Sequence, residues 1–235
     1  MPAKKPQYSK TQVRKAGKFL REMWRLRLVD EPAALDHALT VLEDWRACHS
    51  YPLTKARAGL RARLTTRSVE GDVSQRLKRT GRIIPKLARF PSMQLDTMQD
   101  IAGCRAVVSS QADVRQIMQG WRVMDRLIRV DDYVSSPRAS GYRAVHLILD
   151  YDGFPIEMQL RTTLQHDWAY TVETWGGRLG VDLKSGQGPA EALDLLTALS
   201  EAMAIDEAGQ SVPQALLDKI KTLGTKFAAV TGGDA

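Results

Sequence analysis

Cysteine is scarce in this chain. Cys48 and Cys104 are the only two in 235 residues, far apart and in no CxxC spacing. That argues against a disulfide-stapled fold and a thiolate zinc site, and it sets the expectation of a reduced, cytoplasmic protein. Histidine is almost as scarce: His37, His49, His146 and His166 are too few and too scattered for a histidine-based metal cage. His37 and His49 read as ordinary helix residues. No apolar run approaches the roughly 20 residues that span a bilayer, so no membrane partner is expected. The opening MPAKKPQYSK is basic, but no apolar stretch follows it, so no secretory leader is expected there. There is no GxxxxGK[ST], no GxGxxG and no HExxH, and no serine sits on a nucleophile elbow. A P-loop, a dinucleotide fingerprint, a zincin site and a Ser-His-Asp triad are thereby set aside.

What the chain does have is charge, unevenly spread. Residues 1–90 carry 21 Lys and Arg against 8 Asp and Glu, a net of +13, whereas residues 91–235 carry 13 against 19, a net of −6. A basic half beside an acidic half suggests an anionic ligand held on one side, with metal or acid chemistry on the other.

Periodicity places helices first. Val13, Ala16, Leu20, Met23 and Trp24 form an apolar stripe over residues 9–28, with Ser9 or Thr11 as cap. Asp30 and Pro32 announce a second helix, buried through Leu35, Ala38, Leu39, Leu42 and Trp45. Pro52 breaks the pattern, and Leu53–Arg67 is helical again. SVEGDVSQ (68–75) reads as a turn, and IIPKLARF (83–90) as a short helix despite Pro85. IAGCRAVV (101–108) is a buried strand, 111–124 a helix with Val114, Ile117, Met118 and Trp121 inward, and LIRV (127–130) a strand. Strands at 143–151 and 154–161 meet at Asp152-Gly153, a hairpin signal. Helices follow at about 162–176, 189–208 and 213–224, and the tail TGGDA reads as frayed. The pattern is α/β of the α+β kind: a mixed β-sheet of about five strands flanked by N-terminal and C-terminal helices. Three segments are expected: an N-terminal helical part (1–67), a core (68–180) and a C-terminal helical extension (181–235).

Polar groups on those strands converge. Along FPIEMQLRT, Glu157, Gln159 and Arg161 are two apart and share a face. Tyr142 and His146 share one on GYRAVHLIL, and a hairpin at Asp152-Gly153 brings the two faces together. Upstream, Arg76, Lys78, Arg82 and Lys86 gather cations suited to a polyphosphate. Arg105, inside an otherwise apolar strand, must point into a cleft or an ion pair. Asp100 alone reads as a cap or turn residue; paired with Glu157 it can supply oxygen ligands to Mg²⁺.

Five motifs then occur in order: R-x-K-x₇-K at Arg76, Lys78 and Lys86; D-I-x-G-x-R from Asp100 to Arg105; R-x-D-D-Y from Arg129 to Tyr133; P-x-x-x-G-Y-R-x-x-H from Pro137 to His146; E-x-Q-x-R-T from Glu157 to Thr162. In these the chain resembles the synthetase domain of the RelA/SpoT family of alarmone synthetases, in its small single-domain form, across roughly residues 65–180. The resemblance implies a nucleotidyltransferase-like synthetase fold. It implies transfer of the β,γ-pyrophosphate of ATP to the 3′-hydroxyl of GDP or GTP, with AMP leaving. By the same resemblance, Arg76, Lys78, Lys86, Arg105 and Arg129 bind ATP and its phosphates. Asp100 and Glu157 hold Mg²⁺, and Glu157 also accepts the hydroxyl proton. Tyr142 stacks on the acceptor base, with Tyr133 and Ser140 beside it, and His146, Gln159 and Arg161 position acceptor phosphates or catalytic groups.

Three positions depart from the family pattern. Arg82 stands where a serine is usual, and Asp131 where many members have lysine. Ser140 replaces the asparagine that helps read guanine, and its shorter reach relaxes base discrimination. The chain also resembles toxic relatives that pyrophosphorylate the 3′-terminal adenosine of tRNA, for which the basic first helix (Lys10, Arg14, Lys15, Lys18, Arg21, Arg25) suits an RNA backbone. An antitoxin and a homo-oligomer are partners such a protein can have; for the two C-terminal helices, packing on the core is the default expectation.

Overall fold

The computed structural model describes residues 4–27, 32–122 and 124–231. Three helices come first: α1 (Lys10–Leu26), α2 (Pro32–Cys48) and α3 (Ser50–Thr66). The rest is β1 (Gly71–Leu77), α4 (Thr80–Arg89), β2 (Ala102–Val108), α5 (Gln111–Arg122), β3 (Leu127–Asp132), β4 (Val145–Tyr151), β5 (Phe154–Thr162), α6 (Thr163–Leu179), α7 (Ala190–Glu207) and α8 (Gln214–Thr231). Single 3₁₀ turns lie at Leu95–Thr97 and Leu183–Ser185. Asp30 and the last four residues of TGGDA fall outside the described residues.

The sheet is mixed and five-stranded, in the order β1-β2-β5-β4-β3. Only β2 and β5 run parallel; the other neighbours are antiparallel. Asp152 (φ 58°) and Gly153 (φ 83°) both take positive φ, the primed turn that Asp-Gly favours, and pair Tyr151 with Phe154. Period-two alternation sorts β2, β4 and β5 into two faces. On one, Cys104, Ala106, Leu147, Met158 and Leu160 bury against Leu53, Ala56 and Leu60 of α3 and Val114 and Ile117 of α5. The other face carries Arg105, His146, Glu157, Gln159 and Arg161.

Two further clusters brace the ends. Val13, Ala16 and Leu20 of α1 pack with α2, α4 and the Leu95 turn, while Tyr142, Ala144 and Trp168 pack with Leu195 and Leu196 of α7 and Phe227 of α8. Ser9 caps α1 and Thr162 caps α6, each in a reciprocal capping box worth about 1 kcal/mol.

Three local expectations are corrected. SVEGDVSQ is not a turn, since Gly71–Leu77 is the edge strand β1. Its side chains are mostly solvated, so the apolar alternation that marks a strand is missing. Pro52 does not break a helix but sits in the first turn of α3, where its missing N–H costs nothing. Trp24 is 54% exposed rather than part of the buried stripe, because the last turn of α1 runs past its packing partners.

Candidate active site

The sheet register assembles the polar face. Gly103 pairs with Glu157 and Arg105 with Gln159 across the parallel ladder, and His146 pairs with Gln159 and Ile148 with Glu157 across the antiparallel one. Arg76 enters from β1 opposite Gly103. Each of these side chains therefore projects from the same side of four adjacent strands.

At the centre is a closed ring of hydrogen bonds. Arg161 Nη2 donates to the Tyr142 hydroxyl oxygen (2.6 Å) and to Gln159 Oε1 (2.8 Å). Gln159 Nε2 donates to Glu157 Oε2 (2.6 Å). On the other branch Tyr142 and His146 Nε2 are 2.7 Å apart, and His146 Nδ1 lies 3.1 Å from Glu157 Oε1. Arg161 is a pure donor, which leaves the Tyr142 proton to go to His146 Nε2 and the Nδ1 proton to Glu157. Both branches thus deliver donors to one carboxylate. Burial would push Glu157 up, but the hydrogen bonds from His146 and Gln159, with the nearby charge of Lys86, outweigh it and hold Glu157 well below the usual carboxylate range.

Asp100 forms a second centre beside the start of β2. Its Oδ2 accepts from Lys78 Nζ (2.7 Å) and Lys86 Nζ (2.6 Å), while its buried Oδ1 has no hydrogen-bond partner among the described residues. Burial opposes the charge of Asp100 too, and the two lysines overcome it, keeping the carboxyl below its ordinary value. Lys78 is itself lowered, chiefly by burial, with Lys86 and Arg76 adding repulsion. Lys86 acts on Asp100 and on Glu157 alike, so the centres share one field.

Arg105 lies on β2 level with Gln159 of β5. Its buried Nε is unpartnered among the described residues, and the side chain lines a cavity with Ser74, Val107, Thr163 and His166. Burial, and then the charge of Arg161, lower its pKa.

The remaining candidates divide. Tyr142 is 0% exposed, with Arg138, Arg161 and Lys184 over its ring, and Tyr133 packs edge-on to it. Ser140 is buried next door, and its hydroxyl has no hydrogen-bond partner among the described residues. Arg82 is exposed on α4. Arg129 is not brought to Arg76, Lys78 and Lys86. It sits on β3, the far edge strand, about 19 Å across four strand spacings, and is paired with Asp131 at 2.9 Å. The cations also do not follow the halves of the chain, since Arg105, Arg161 and Lys184 all come from the acidic one.

Sequence reasoning passed over Glu173, Lys184, Arg138 and Ser200. Ser200 of α7 donates to Gly141 O (2.5 Å) and accepts from Arg143 Nε (3.0 Å), fixing the loop that carries Tyr142. Nothing local marks these residues, because their partners are distant in sequence or lie across a turn.

The structure is thus an α/β protein with a mixed sheet that has one apolar face and one face gathering cations around two carboxylates. The region found in RelA/SpoT proteins matches residues 75–175, the span that contributes all of this face except Lys184. Over residues 75–175 the chain is similar to that RelA/SpoT region. It is 33% identical over 146 residues to the uncharacterised protein Rv1366 of Mycobacterium tuberculosis (56% of this chain, 52% of that one). It is 31% identical over 113 residues to the GTP pyrophosphokinase YjbM of Bacillus subtilis (43% of this chain, 53% of that one). The chain thus spans about half the length of the curated relatives it matches. Among solved structures, small alarmone synthetase 1 from Bacillus subtilis bound to its product pppGpp shares the fold, with a TM-score of 0.59 and 24% identity over 71% of this chain and 94% of that one.

Proposed function

We propose that this chain is a pyrophosphokinase that moves the β,γ-pyrophosphate of ATP to the ribose 3′-hydroxyl of GDP or GTP. The observation that carries the proposal is the ring that keeps Glu157 an ionised acceptor on the same face as Arg105 and beside the Asp100–Lys78–Lys86 clamp. The GTP pyrophosphokinase named among the relatives supports the guanosine acceptor.

The chemistry balances without covalent catalysis. The 3′-oxygen attacks the β-phosphorus, the bond from that phosphorus to the α–β bridging oxygen breaks, and AMP leaves with that oxygen. Lys78, Lys86, Arg76 and Arg105 neutralise the phosphate chain, which is most of what such a transfer asks of a protein. Glu157 orients the hydroxyl by accepting its hydrogen bond and takes the proton as the oxygen gives up its charge to phosphorus.

Asp100 and Glu157 suit Mg²⁺: buried Asp100 Oδ1 is an open oxygen ligand, and Glu157 keeps lone pairs beyond its two bonds. An ion held by two carboxylates would take its remaining oxygen ligands from substrate phosphates and water. When bound, the ion would neutralise charge on the phosphates being transferred.

The test offers ATP labelled at the β or γ phosphate with GDP, GTP, adenosine nucleotides or tRNA. Label on GDP or GTP with stoichiometric AMP is expected. Label confined to tRNA would replace the acceptor, and label released only as pyrophosphate or phosphate would overturn the proposal.

A further inference from the structure

We infer that Lys184 is an acceptor-binding residue whose ammonium, set over the ring of Tyr142, takes a phosphate of an anionic nucleotide acceptor. The inference rests on the pyrophosphokinase proposal and extends it to a residue outside every motif in the sequence and outside the matched domain.

The segment VDLKSGQG has no distinguishing pattern, yet it folds into a turn fastened at several points. α6 ends at Gly180 in the left-handed region, and Val181 N donates back to Gly176 O (2.9 Å). Asp182 caps the Leu183–Ser185 turn, accepting from Ser185 Oγ (2.8 Å) and Ser185 N. Leu183 is 1% exposed, sunk into the cluster that holds Tyr142 and Trp168. Arg89 of α4 reaches across to Asp182 and to Ser185 Oγ (3.2 Å). Arg89 lies one turn past Lys86, so the turn is tied to the helix that clamps Asp100.

So fastened, the turn directs Lys184 to one place. Its Nζ is 4.8 Å from the centroid of the Tyr142 ring and 3.3 Å from Glu173 Oε1. Burial and the charge of Arg161 lower its pKa, and Glu173 and Glu157 offset part of this. Arg161 and Arg138 approach the same ring, at 5.1 and 5.5 Å. A ring has two faces, so at least two of three cations share a side.

The plainer account is a cation–π contact backed by a surface ion pair. Such contacts are weak when exposed, and Glu173 is 56% exposed. They do not explain why an ammonium only 27% exposed is held beside Arg161 and over a ring that Arg138 also approaches. An incoming phosphate does. It can take the place of Glu173 on Lys184 and use ammonium protons that the single carboxylate leaves over. The position selects the acceptor over ATP, because Lys184 lies on the Tyr142 side of Glu157 whereas Lys78 and Lys86 lie on the Asp100 side.

The experiment compares the full chain with Lys184→Gln and Lys184→Arg, using GDP and guanosine as acceptors at saturating ATP. Lys184→Gln is expected to raise KM for GDP tenfold or more, to move KM for ATP less than twofold, and to shrink the preference for GDP over guanosine by a similar factor. Lys184→Arg should restore most of that preference. An unchanged KM for GDP, a lower one, or an equal rise for ATP overturns the inference. If the parent chain transfers no label to GDP, the pyrophosphokinase proposal is what fails. Calorimetric GDP binding then decides separately: Lys184→Gln must bind GDP at least tenfold more weakly, and equal affinity overturns the role of Lys184.

Discussion

At Glu157, burial and hydrogen bonding pull in opposite directions, and four side chains are spent on deciding the contest. The hydrogen bond from His146 is the largest single lowering influence, so its removal has a signed consequence. If turnover needs ionised Glu157, activity is present above its folded pKa and is lost as pH falls through that value. In the parent chain that loss lies below the usual carboxylate range. In His146→Ala the burial cost is no longer opposed by the imidazole, so the acid limb of the kcat/KM profile should move up by one pH unit or more. A limb that stays put would detach His146 from the ionisation of Glu157. By contrast, burial pushes the Cys104 thiol up to about 12 and raises Cys48 as well, so neither is a nucleophile at neutral pH.

Among the elements, the loop from β3 to β4 depends most on a distant partner. Gly141 takes φ 85°, and a Cβ there would meet Ser200 Cβ at 2.9 Å and Leu196 O at 3.2 Å. Gly141→Ala should therefore cost about 1–3 kcal/mol of stability, and should raise KM for the acceptor more than KM for ATP, because the next residue is Tyr142. Denaturant unfolding with parallel kinetics checks both, and an unshifted midpoint would contradict the packing described. The same elements show what was legible in the sequence. The faces of β2, β4 and β5 could be read because period two is strict in a buried strand, which put Glu157, Gln159, Arg161 and His146 together in advance. The edge strand β1 could not, since an edge needs little apolar alternation. The closed ring around Glu157 needs a register set by β5 lying between β2 and β4. Lys184 and Ser200 reach the site only through the packing of α6, α7 and the turn between them.

For the molecule as a whole, the net positive charge is less informative than where each cation is spent. On α1, Arg14 is bound to the buried carboxylate of Asp96 (2.7 Å), and Arg21 to the carbonyls of Pro91 and Met93. Lys15 and Lys18 are exposed, and Lys18 has only a distant partner in Glu22 at 3.9 Å. Replacing Lys15 and Lys18 with Gln should leave transfer to GDP within about twofold, since α1 packs on α2, α4 and the Leu95 turn, away from the Glu157 ring. A large loss with GDP would bring that surface into the site. No helix among the described residues is long and apolar enough to cross a membrane. Transfer in this chain is assigned to one carboxylate, and Glu157→Gln isolates it, changing charge while nearly preserving shape. Pyrophosphate transfer and ATP affinity should be measured on the same sample: a loss of transfer of at least a hundredfold with ATP affinity within a fewfold of the parent is predicted, whereas retained transfer, or ATP affinity lost in step with it, would contradict the role given to Glu157.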